Sequence, residues 1–178
     1  MTKNKALTKM ILAALFLALA YVMPFLTGQI PEIGQQLCPL HIPVILCGFF
    51  CGWHWGLVIG FIAPLLRSLI LTMPPMFPTA LCMAFELAVY GAVSGMMYKL
   101  FPKKKPYIYC SLLISMIAGR IVFGIVKYIL LVGVRNQSYT FALFIADAFT
   151  GSIPGIIVQI LIIPILVMVL DKPKIKNI

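Results

Sequence analysis

The chain has 178 residues, of which 62% are hydrophobic and only 10% charged, with a mean hydropathy of +1.08. One ordinary domain fits that length, but the composition excludes a water-soluble core. A formal charge of +10 raises nucleic acid as a partner, yet ten of the fourteen basic residues gather at three places: Lys3, Lys5 and Lys9; Lys99, Lys103, Lys104 and Lys105; Lys172, Lys174 and Lys176. That is the distribution of loops beside membrane spans, not of a phosphate-binding face, so nucleic acid is set aside.

A hydrocarbon core about 30 Å thick needs about 20 apolar residues per helix. The sequence therefore predicts an all-α integral membrane protein, a six-transmembrane-helix bundle in which residues 1–178 form a single domain. The positive-inside rule places both termini and the PKKKP loop in the cytoplasm. The start is expected to be a retained first helix, because its apolar run is too long for a signal peptide and no small-residue cleavage pattern closes it. Five cysteines are an odd number, and all but Cys38 lie in apolar runs, which argues against a disulfide framework.

In chain order, the first span is predicted over residues 8–26, with Pro24 at its outer end. The loop TGQIPEIGQQLCP follows, rich in turn residues and thinly charged. The second and third spans, 40–53 and 55–71, are expected to meet at a turn at His54. The second is short enough to be thin or re-entrant. TMPPMFPT carries three prolines and cannot continue a helix, so it is read as the second outer loop. The fourth span is placed at 80–100, the fifth at 107–134 and the sixth at 141–170, with Pro154 and Pro164 expected to kink the last.

Small residues recur four apart at Gly48/Gly52, Gly56/Gly60, Gly91/Gly95 and Gly151/Gly155, and at Ala14/Ala18. Such pairs let helix backbones approach closely in lipid, and internal packing is the expectation for the glycines.

Five ionisable residues fall inside predicted spans: Arg67, Glu86, Arg120, Lys127 and Asp147. A basic residue or Asp at a helix centre costs at least about 2.5 kcal/mol on the insertion scale, so the set calls for mutual pairing, water or a ligand. Counting about 1.5 Å per residue from the outer loops places Glu86, Lys127 and Asp147 at one level, about 10 Å deep. Three cations against two anions leave one positive charge in excess, which suits a ligand with one carboxylate, bound by Lys127 or Arg120. Tyr90, one turn after Glu86, is a further candidate contact, as are Tyr128, Asn136 and Gln137 near the outer end of the fifth span. Mutual ion pairing and snorkelling of Lys127 and Arg67 are the structural alternatives.

Several chemistries lack their residues. There is no phosphate-binding loop, so uphill transport would need a partner. Cys47, Cys51 and His54 share a helical face, but no further pair completes a metal set, and no metal or other cofactor is expected. The two histidines, His41 and His54, flank the second span with no carboxylate expected beside them, so no catalytic triad is assembled and the chain is not read as an enzyme.

The segment from Cys38 to Tyr98 carries an H-I-P start to its second span, the run A-P-L-L-R-S, M-P-P ahead of P-T-A, and F-E-L-x-x-Y-G. It resembles the S components, the substrate-binding subunits, of energy-coupling-factor (ECF) vitamin transporters, in the group holding the pantothenate-type and folate-type members. The resemblance implies six helices and a pocket open to the outside beneath loops 27–39 and 72–79. It implies an Ala-xxx-Ala contact, here Ala14 and Ala18, with a transmembrane scaffold subunit, and toppling in a bacterial plasma membrane driven by two ATPase subunits. Pantothenate is the expected vitamin; folate, cobalamin, a pyridoxine-type compound and a queuosine precursor are the alternatives. A non-transport membrane scaffold and a stand-alone secondary carrier are the readings from other classes.

Overall fold

A computed structural model describes residues 2–26, 39–102, 105–134, 140–148 and 153–170. Among them helix is the regular structure throughout: α1 (Thr2–Leu26), α2 (His41–Cys51), α3 (Trp53–Leu71), α4 (Leu81–Leu100), α5 (Lys105–Tyr128), α6 (Phe141–Ala148) and α7 (Ile153–Leu170). Wide, π-type turns over Met76–Ala80 lead into α4, and others over Ile129–Val134 extend α5. This is the all-α architecture that the composition requires.

Five of these segments are long and apolar enough to cross a bilayer: Ala6–Phe25, Trp53–Leu71, Met76–Leu100, Lys105–Val134 and Ile153–Leu170. The predicted second span is the shorter helix α2, whose 11 residues reach only about 16 Å. The predicted sixth span is described in two pieces, α6 and α7, with residues 149–152 outside the described part. Pro154 sits in the first turn of α7, where a missing N–H breaks no helical hydrogen bond, while Pro164 lies inside the helix.

The break between α2 and α3 falls at Gly52, not at His54. Gly52 has φ 97° and ψ 169°, a conformation that only glycine adopts without strain, and its N–H still donates to the Gly48 carbonyl at 3.1 Å. His54 is instead inside the first turn of α3, its ring stacked on Trp53 with centroids 3.5 Å apart. The proline-rich loop ends α3 as expected: Thr72 turns left-handed at φ 57°, and the Ser68 hydroxyl donates to the Pro74 carbonyl at 2.7 Å. The Met73–Pro74 and Phe77–Pro78 bonds are cis.

Helix α4 is the hub, packed against α2, α3 and α5; α1 lies on α2 and α3, and α7 lies on α2 and α5. The glycine spacing explains how three backbones come so close. A methyl added at Gly91 would strike the Gly56 backbone, one at Gly48 would strike the Gly91 carbonyl, and one at Gly60 would strike the Leu87 carbonyl. These pairs therefore serve internal packing between α2, α3 and α4. Outward faces carry large apolar side chains such as Ile11, Leu69, Ile117, Ile125 and Leu161, which suits lipid rather than water.

Candidate functional site

The site is built around Glu86, which the first turns of α4 carry into the bundle and which is only 1% exposed. A lone buried carboxylate is prohibitive, and two partners from other helices face it. Arg120 of α5 places Nη1 3.1 Å from Glu86 Oε1, and His41, the first residue of α2, places Nε2 3.8 Å from the same oxygen. Arg120 is 5% and His41 1% exposed, so this is an ion pair withdrawn from both lipid and water.

Tyr90 follows Glu86 by one helical turn and is fully buried. Its ring packs at 60° on the His41 imidazole with centroids 5.2 Å apart, and its hydroxyl faces the Glu86 carboxylate. The ring also lies directly on Gly119, where even a methyl group would overlap Tyr90. Glycine at 119 is thus what lets α5 bring Arg120 up to α4 and still leave space for the Tyr90 ring.

Of the residues expected at a site, the structure brings Glu86, Tyr90 and Arg120 together. Lys127 is half-buried in the last turn of α5, with Nζ over the Phe123 ring at 5.3 Å. Arg67 is half-buried on α3, makes no salt bridge with any described residue, and keeps a buried Nε without a hydrogen-bond partner. Tyr128 is exposed. Asp147 lies on α6, but its side chain is outside the described residues, as are Asn136, Gln137 and loop residues 27–38. Ala14 and Ala18 are both exposed on α1, whose buried stripe is Ala13, Phe16 and Ala20.

Two residues escaped the sequence reading. His41 was expected to have no carboxylate beside it; Glu86, 45 positions away, is that carboxylate, and only folding α2 onto α4 reveals it. Gln159 is the one amide in the apolar segment I-I-V-Q-I-L-I-I and is 1% exposed. A single strong hydrogen-bonding group in a lipid-spanning run is itself a signal that was available. No group of three or more metal-ligating side chains occurs among the described residues.

The cluster thus combines an ion pair, an imidazole and a phenol, contributed by α2, α4 and α5. A family model described as the ECF transporter substrate-specific component matches residues 8–167. The chain belongs to that family. No curated protein and no solved structure matches it. This S component is therefore a multi-pass membrane protein and the substrate-binding subunit of a vitamin-type transporter, from a family of transport components. Family membership also implies work alongside an ECF scaffold and ATPase module on a small-molecule substrate.

Proposed function

We propose that this S component captures pantothenate from outside a bacterial cell and delivers it by toppling in the plasma membrane, coupled to ATP hydrolysis on two partner subunits. In this reading residues 1–178 act as one transmembrane domain with both termini cytoplasmic. The observation that carries the proposal is the buried Glu86–Arg120 pair with His41 and Tyr90 against it. Ionisable groups inside a membrane bundle are costly and are functional-site candidates by default.

Pairing of Arg120 with Glu86 refines the assignment of roles. Glu86 holds Arg120, so the pair together is neutral, and the carboxylate of the vitamin falls to the half-buried cations, Lys127 first and Arg67 second. Glu86, Tyr90 and Arg120 then meet the hydroxyl and amide groups of the ligand, and Asp147 orients a cation. Ala14 and Ala18, exposed on α1, dock the scaffold subunit. Closure of the outer loops over a bound vitamin would exclude water and strengthen each of these contacts.

A thermal-shift panel of pantothenate, folate, cobalamin, pyridoxine and a queuosine precursor on the purified protein tests the substrate. Pantothenate is expected to give the largest stabilisation, in proportion to its concentration over Kd. Lys127→Ala is expected to weaken pantothenate binding at least tenfold, and an unchanged affinity would remove Lys127 from the site. A stabilisation by folate or cobalamin alone would keep the S-component role and replace the substrate.

A further inference from the structure

Gln159, 1% exposed, carries a buried amide that the cluster around Glu86 does not account for. The exposed residues of α7, among them Ile157, Leu161 and Ile165, lie on one side, while Gly155, Gln159 and Ile163 lie on the other at four-residue spacing. That inner side packs on α2 and α5, the helices that carry His41 and Arg120. Yet both the oxygen and the nitrogen of the Gln159 amide are buried without a hydrogen-bond partner, and so is Nδ1 of His41.

An amide left unbonded in an apolar helix interface is costly in a ligand-free protein, and natural sequences retain such a group where something else completes its bonds.

We infer that Gln159 is a specificity-determining contact for the neutral part of the substrate, hydrogen-bonding an amide or hydroxyl group inserted between α2, α5 and α7. This rests on the reading of the outer half of the bundle as the vitamin site. An amide offers one donor edge and one acceptor edge, so Gln159 selects a ligand group that also does both, and it discriminates against a purely apolar or purely anionic one. The anionic end of the ligand is left to Lys127 and Arg67.

The test uses the full chain in detergent, with Gln159→Leu and Gln159→Met as two apolar replacements of similar size. The ligand-free melting temperature and the affinities for pantothenate and for pantothenyl alcohol are measured; the alcohol keeps the amide and both hydroxyls and lacks the carboxylate. The expected result is a ligand-free melting temperature equal to or above that of the unmodified protein, with both affinities reduced at least tenfold. Lys127→Ala is expected to reduce the affinity for pantothenate alone. A lower ligand-free melting temperature in both Gln159 variants would show an amide completed by ordered water in a structural role and would overturn the inference, as would unchanged affinities. If the unmodified protein binds neither compound, the pantothenate reading falls. The same two measurements, made with whichever of folate, cobalamin, pyridoxine or the queuosine precursor stabilises the protein, then decide the role of Gln159.

Discussion

Glu86, Arg120 and His41 show how little a residue's own position says about its cost. Each would be prohibitive alone at this depth, and together they form a pair with a third polar neighbour, contributed by three helices. Neutralising one member leaves the other charged and buried, so Glu86→Gln and Arg120→Met are each expected to destabilise the ligand-free protein by about 3–5 kcal/mol. The double variant should recover much of that loss, and melting temperatures of the four proteins check it as a cycle. Strictly additive losses would show that the two charges do not act on each other. Gly119→Ala belongs at the same scale: its methyl would displace the Tyr90 ring, with an expected cost of about 1–3 kcal/mol and weaker vitamin binding. Normal binding by a well-folded Gly119→Ala protein would separate Tyr90 from the site.

Among the elements, α4 carries both the site and the packing seam, and the two demands fall on different faces. Glu86 and Tyr90 turn toward α2 and α5, whereas Gly91 meets the Gly56 backbone of α3. Because the atoms facing Gly91 are backbone, no rotamer change can relieve an added methyl, and α3 and α4 would have to separate. Gly91→Ala is therefore expected to lower the melting temperature more than Gly52→Ala does. Gly52 faces open space, so alanine there meets only the strain of a positive φ, about 1–3 kcal/mol. Thermal unfolding of the two variants side by side gives the comparison, and the reverse order would mean that the α3–α4 seam can open cheaply. The short α2 has a role that its length obscured: by starting below the level where a full span would start, it places His41 at its first residue beside Glu86.

For the molecule as a whole, the proposed docking of a scaffold subunit falls on α1. Helix α1 packs on α2 and α3 and presents Ala14 and Ala18 among larger exposed residues such as Ile11, Leu15 and Val22. Small residues in such a surface leave a groove into which a partner helix fits. Ala14→Trp combined with Ala18→Trp is expected to leave pantothenate affinity unchanged and to abolish ATP-dependent uptake in vesicles that also hold the scaffold and ATPase subunits. Undiminished uptake would place the contact with the scaffold elsewhere. Uptake by vesicles holding this chain alone would favour a stand-alone carrier.

The sequence by itself determined the solvent, the helical class and the rough limits of the spans, because hydropathy, proline-rich breaks and clustered lysines are properties of consecutive residues. It also identified Glu86 and Arg120, with Arg67, Lys127 and Asp147, as costly in lipid, and Tyr90 as a candidate contact one turn from Glu86, since an ionised group in an apolar run is visible without coordinates. Gly52 was missed as the break because a positive φ is a backbone state that many glycines never adopt. Only the tertiary structure decided that Glu86 belongs with Arg120 and His41, and that Gln159 is enclosed between α2 and α5 with its amide unbonded. Partnership across helices depends on their relative rotation and depth, and those are set by how the glycine seams of α2, α3 and α4 close, not by any one segment's own pattern.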